Sequence, residues 1–299
     1  MVALILPGGT IVTNIAERLS SYATSLRYED LPTDVVHLAK RMIIDTLGCA
    51  LGGYDGEPSR IARETAATVT SSSPATILGS GLATSPDMAT FANGVMIRYL
   101  DYNDGYTSKE SGHPSDSIAA TLTCSEVGRA GGKGMIVATV LAYEAFCRIC
   151  DAVDIKPGGF DHVTVGGIAS VLGAARCLGL TEDQTLQALN LGIAPNLALY
   201  QTRIGDVSMW KGCAYANASR NAVFAAMLAK EGLPALRRSS REKAATLRRC
   251  PASPLSWSPL AAGTSPSRLG SAASSAFRWA SIRKRWCRPL WRSGRSYLL

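Results

Sequence analysis

Two runs of small residues constrain this chain more than anything else in it: "VGGIASVLGAARCLGL" and "AYANASRNAVFAAMLAKEG". Both keep helical spacing, yet glycine, alanine and serine dominate nearly every face. Side chains this short let helix axes approach closely, so such runs belong in the middle of a compact helical bundle and not on its surface. A chain containing two of them is expected to be mainly all-α.

The remaining patterns up to residue 236 fit that expectation. Asn14 with Glu17 reads as a capping box ahead of "IAERLSSYATSL". A Thr33 or Asp34 cap opens a helix whose apolar residues Val35, Leu38, Ala39, Met42, Ile43 and Leu47 recur at helical spacing until Gly52 and Gly53 end it. Pro86 after Ser85 starts another, through residue 100. Further helices are expected at about 115–129, 132–151, 162–179, 182–193 and 208–231, the 182–193 helix opening on a Thr181–Gln184 capping box. "PATILGSG", residues 74–81, is the best short strand or hairpin segment.

At residue 237 the character changes. Residues 237–299 hold 12 Arg, 2 Lys and 13 Ser against the single acidic residue Glu242, with four of the five tryptophans and no sustained period. The formal charge of +8 is therefore a property of this tail. Of 31 basic and 23 acidic residues, 17 and 22 remain in residues 1–236, which are mildly acidic. We read 1–236 as a helical domain and 237–299 as an aberrant, irregular tail of the composition a frameshifted GC-rich gene yields. A basic arm that folds on nucleic acid or an anionic membrane is the alternative for that tail alone. Neither partner is expected for residues 1–236.

No apolar run reaches the roughly 20 residues of a membrane span, and "MVALILPGGTIVTN" lacks a positive leader and a cleavage site. Most of the eight cysteines lie inside alanine-rich helical stretches, which suits reduced structural thiols. Cys147 and Cys150 form a CxxC without a second pair at zinc spacing. The expectation is a cytoplasmic protein without metal or cofactor, a mitochondrial address being the alternative. P-loop, GxGxxG, HExxH and GxSxG patterns do not occur, so nucleotide, zinc-protease and serine-hydrolase chemistry have no support.

Chemistry concentrates in "LDYNDGYTSKESGHPSD", residues 100–116. Asp101 falls where a helix ends, Asp104 precedes a glycine, and His113 stands before Pro114 and the next helix. A histidine at a helix start meets the positive end of the dipole, which disfavours its protonation and leaves an imidazole able to exchange a proton near neutral pH. The arrangement recurs in "KPGGFDHVTVGGIAS", where Asp161 and His162 follow a glycine turn. Lys211 sits in the first turn of an alanine-rich helix beside Trp210, against the dipole, as a cation that holds an anion would. Each residue alone also has an ordinary reading: turn aspartates, hydrogen-bonded core histidines, a snorkelling lysine. His37, inside an amphipathic helix, reads as a surface or boundary residue.

Taken in order, "LPTDVVHLAKRMIIDTLGCALGG", "PATILGSG", "DMATFANGVMIRYLDYND", "SGHPSD", "GGFDHVTVGGIASVLGAARCLGL" and "MWKGCAYANASRNAVFAAMLAKEG" resemble the MmgE/PrpD family over about residues 10–236. That family includes 2-methylcitrate dehydratase and cis-aconitate decarboxylase. The resemblance implies a helical domain with a smaller α+β lid, a homodimer, and metal-independent lyase chemistry on a tricarboxylic acid. It puts catalytic roles on Asp101, His113, His162 and Lys211, with Lys211, His113 and Asp104 against the substrate. Which histidine is base and which acid stays open. The histidine loop is two residues longer than the decarboxylase pattern, and "GFDH" stands where that pattern has "GFH". No lid sequence is recognisable after residue 236, which implies missing substrate contacts and an uncovered apolar face. Dehydration leads; decarboxylation or epimerisation on the same fold, a non-catalytic helical scaffold and a basic-tail binder are the rivals.

Overall fold

The structure, a computed structural model, describes residues 15–235. Asn14 and the basic tail, with Cys250 and Cys287, lie outside the described residues.

Within them the chain is mainly all-α, with helices α1 (Ile15–Ser25), α2 (Thr33–Gly52), α3 (Glu57–Ala67), α4 (Pro86–Tyr99), α5 (Ile118–Val127), α6 (Gly131–Ala152), α7 (Val163–Cys177), α8 (Glu182–Ile193) and α9 (Trp210–Lys230). Two antiparallel ribbons complete it: β1 (Ala75–Thr76) with β2 (Ala83–Thr84), and β3 (Tyr106–Thr107) with β4 (Ser111–Gly112). The Thr181–Gln184 capping box forms in both directions. Helix α2 departs from expectation at its start. Pro32 occupies the cap position and neither Thr33 nor Asp34 caps it, because the helix already includes both. Helix α3 went unpredicted, since "EPSRIARETAA" is polar and short.

The two small-residue runs are α7 and α9, and they form the middle of the bundle. Helix α9 packs on α4, α7 and α8, while α7 also packs on α5 and α6. The approach is close enough to require glycine. A Cβ on Gly94 of α4 would stand 2.8 Å from the Ala216 methyl of α9, and one on Gly166 of α7 would stand 2.2 Å from the Tyr215 ring. Either addition would force the axes apart and loosen a core packed at crystal-like density.

The six described cysteines form no disulfide and are buried, where burial raises the thiols of Cys124, Cys147 and Cys150 well above their ordinary range. They behave as small core hydrophobes. No helix among the described residues is long and apolar enough to cross a membrane. On α2, Ile44 and Leu51 are 69% and 61% exposed, one stripe of apolar surface without a covering layer among the described residues.

Candidate active site

Helix α4 is buried along most of its length, and its last turn delivers a buried arginine, Arg98. Asp101 follows with a left-handed backbone, φ 54°. A left-handed aspartate costs on the order of 1 kcal/mol, and here it folds the carboxylate back onto Arg98 Nη1, one turn earlier. The same Nη1 donates to Asn103 Oδ1 at 3.0 Å, Nη2 lies 2.9 Å from His113 Nε2, and Nε faces Asp116 Oδ2 at 3.6 Å. All three guanidinium nitrogens are thus engaged, by four residues from the loop that follows α4 and the 3-10 turn at its end.

That loop is not the plain connector its polar sequence suggests. It folds into the β3–β4 ribbon, which is stapled to the end of α6. The Tyr106 hydroxyl lies 2.6 Å from Asp151 Oδ1. Glu110, fully buried, accepts from the Ser111 and Ile155 amides and pairs with Lys156 at 2.7 Å. The ribbon thereby sets His113 directly after β4. His113 precedes only a four-residue 3-10 turn, Pro114–Ser117, and not an α-helix as expected. Burial, then the charge of Arg98 and the neighbouring His162, hold its pKa well below 6.5.

The hydrogen bonds fix its tautomer. His113 Nδ1 lies 2.6 Å from the Asp104 carbonyl oxygen, which can only accept, so Nδ1 carries the proton. Arginine can only donate, so Nε2 is the acceptor for Arg98. Both ring nitrogens are therefore filled by the protein. Asp104 is equally occupied: Oδ1 accepts from the Ser115 amide at 3.0 Å and Oδ2 from the Tyr143 hydroxyl at 2.7 Å.

His162 stands differently. It is the residue before α7 and is buried, and its Nδ1 lies 2.7 Å from Asp161 Oδ1. Asp161 Oδ2 is held in turn by Arg203 Nε. Arg203 reaches it because residues 159–161 run against 198–200, through the Asp161 amide on Ala198 O and the Tyr200 amide on Gly159 O. Burial alone would raise the Asp161 carboxyl, but His162 and Arg203 outweigh it and bring it to about 2. Burial lowers the His162 imidazole below 6.5 against the opposing pull of Asp161. A neutral ring with Nδ1–H on an ionised carboxylate leaves a lone pair on Nε2, and no described residue hydrogen-bonds that atom.

The ring is kept in place by Gly112, where a Cβ would come 2.5 Å from His162 Cδ2 and 2.7 Å from Phe146. Asp101–Thr107, Ser111–His113 and His162 line one cavity of about 120 Å³. The structure thus brings Asp101, Asp104, His113 and His162 together. Lys211 is outside that lining; it is half-buried in the first turn of α9, four residues ahead of Tyr215, whose ring lies 6.5 Å from that of His162. His37 is exposed on α2. Among the described residues no group of three or more His, Cys, Asp or Glu side chains is arranged to hold a metal ion.

Sequence reasoning passed over Arg98, Asp116 and Arg203 and gave Asp161 no role. Arg98 carried a signal: an arginine in an otherwise apolar, small-residue helix, three residues before Asp101. Asp161 carried one too, adjacent to a histidine at a helix start. Arg203 carried none, since only the pairing of 159–161 with 198–200 brings it near.

A neutral imidazole with one free nitrogen, backed by a buried carboxylate beside an acidic loop, defines a site suited to proton transfer. The chain belongs to the MmgE/PrpD family, matching its N-terminal domain over residues 17–250. It is 30% identical over 219 residues to a 2-methylcitrate dehydratase of Cupriavidus necator, covering 69% of this chain and 45% of that protein. It is 33% identical over 173 residues to an alkylcitrate dehydratase of a fungal species, covering 52% and 34%. A cis-aconitate decarboxylase-like protein of Aspergillus oryzae is 26% identical over 230 residues, covering 73% and 47%. The chain spans about half the length or less of these curated relatives.

Proposed function

We propose that the site serves a hydro-lyase reaction on a tricarboxylic acid of the 2-methylcitrate type, in which a proton next to a carboxylate and a hydroxide are lost. The observation that carries this reading is the buried Nε2 of His162, which no described residue hydrogen-bonds, with Asp161 behind the ring and the residue lining a cavity shared with Asp101 and His113. His162 Nε2 takes the carbon-bound proton, and the Asp161 carboxylate stabilises the imidazolium that forms. The carbon electron pair becomes the new C=C bond as hydroxide departs. The imidazolium returns its proton to the hydroxide, so water leaves and His162 is neutral again. One residue can thus serve as base and acid in turn, which suits a site where both nitrogens of His113 are filled.

In this reading Asp101 lines the cavity as the carboxylate nearest the departing hydroxyl, and Lys211 holds a substrate carboxylate from the α9 side. Asp104, whose oxygens are both engaged, positions the loop instead of touching substrate. The relatives' names support dehydration, and the Aspergillus relative supports decarboxylation as the second reading.

The test is turnover of purified chain with 2-methylcitrate, citrate and cis-aconitate, with products identified by mass. Water loss without carbon dioxide supports the proposal; carbon dioxide release favours the second reading. Absence of turnover on all three, in a chain that is folded by circular dichroism, counts against both. The same protein in sedimentation tests the homodimer we also propose, which the exposed Ile44 and Leu51 support.

A further inference from the structure

We propose that Arg98 is a positioning residue that occupies the basic nitrogen of His113 and so reserves proton transfer for His162. The inference rests on the proposed function for the proton transfer at His162; the occupation of His113 by Arg98 rests on hydrogen-bond chemistry. Two imidazoles stand with ring centroids 5.9 Å apart. Without discrimination between them, either could take a proton, and a proton on the wrong one would place a cation beside the base. Arg98 makes the distinction. Its Nη2 fills His113 Nε2, while Asp104 O fills Nδ1; no described residue does this for His162 Nε2.

The groups that face His113 come from every neighbouring element. Arg98 lies at the end of α4 and Asp101 just beyond it, Asp104 acts through its carbonyl from the loop, and His162 stands directly before α7; Asp116 of the 3-10 turn meets Arg98, and Tyr143 of α6 meets Asp104. The carboxylates among them would favour a protonated His113. Arg98 opposes this directly, because it engages Asp101 and Asp116 and presents its own positive charge to the ring. The task needs a planar fork. One guanidinium serves Asp101, Asn103, Asp116 and His113 in different directions, which a lysine ammonium on a flexible stem cannot do at once. A lysine at 98 would go to the carboxylates, where charge attracts it most, and release His113 Nε2.

The test reads the ring nitrogens themselves. In the full chain labelled with nitrogen-15, long-range proton–nitrogen spectra report tautomer and hydrogen bonding of each histidine, with H113Q and H37Q giving the assignments. The wild-type chain is expected to show His113 as the Nδ1–H tautomer with a hydrogen-bonded Nε2, unchanged from about pH 5.5 to about 8.5, where an ordinary histidine titrates. R98M and R98K are both expected to move the His113 Nε2 resonance to the position of a free, pyridine-like nitrogen, while leaving the His162 tautomer as it was. A purely structural Arg98 would leave that resonance in place. An unchanged Nε2 signal in R98K overturns the proposal, as does a wild-type His113 that is an Nε2–H tautomer or protonates in this range. Should R98M fail to fold, R98K decides; should both fail, the wild-type tautomer and its pH response decide. None of these readings depends on turnover, so an inactive chain would defeat the proposed function and with it the reserving of proton transfer, and leave the occupation of His113 Nε2 by Arg98 standing.

Discussion

The rings of His113 and His162 meet edge to face, 5.9 Å apart and inclined by 60°, and of their four nitrogens only His162 Nε2 lacks a described partner. The two residues are chemically alike, His162 buried and His113 half-buried. What separates them is what each nitrogen meets: an arginine and a carbonyl in one case, a carboxylate and no described hydrogen-bond partner in the other.

Replacing His162 with glutamine removes the one nitrogen of the His113–His162 pair that lacks a described partner and keeps an amide that can still reach Asp161. Turnover of the tricarboxylate should fall by roughly 10²–10⁴-fold, the ordinary contribution of a general base, while the thermal midpoint stays close to that of the parent. Steady-state kinetics alongside a melting curve checks both. Unchanged turnover would remove His162 from the mechanism.

Gly112→Ala puts a methyl into the space of the His162 and Phe146 rings. Overpacking of this kind costs about 1–3 kcal/mol, and the side chain with most room to give is His162, which faces the cavity. The expected result is a drop in kcat of at least about tenfold, larger than the stability loss alone explains. Comparing kcat with urea unfolding separates the two.

Asp116 gives a pH signature. Burial, opposed by Arg98, raises its carboxyl to about 7. The native state therefore binds more protons at this site than the unfolded chain between about pH 4 and 7, and its stability falls as pH rises through that window. Asp116→Asn removes the effect. Denaturant unfolding at about pH 4.5 and about pH 8 should show the wild type losing roughly 2–4 kcal/mol relative to the variant across the interval. Parallel curves for the two proteins would mean the carboxyl is ionised throughout.

Glu110→Gln tests the staple on the β3–β4 ribbon. An amide can accept on one side only, so either the Ile155 amide, or the Ser111 amide together with Lys156, is left facing a donor. The loss should be about 1–3 kcal/mol, concentrated locally. Hydrogen exchange is expected to speed up across residues 106–112 and at Ile155 before it changes in α7 or α9. Uniform acceleration would show that the ribbon is no separate unit.

The bundle was legible in the sequence because helix formation is read from short-range spacing. Caps such as Thr181–Gln184, the Pro86 start and the small-residue runs that became α7 and α9 are all set within a few turns. The β3–β4 ribbon and α3 were not legible. The ribbon is two residues long on each side and is held by Glu110 reaching Lys156 and the Ile155 amide, more than forty positions away.

The site divides along the same line. Local sequence marked Asp101, Asp104, His113 and His162 as unusual, and burial in one cavity joins them. It could not say which imidazole has a free nitrogen, because that depends on Arg98, Asp104 and Asp161 arriving at particular ring atoms from different elements. Sequence by itself determined where the chemistry-bearing side chains stand along a helical chain. Only the tertiary structure decided their protonation, since a proton's position follows from partners that the fold, and not the spacing, brings within hydrogen-bond reach.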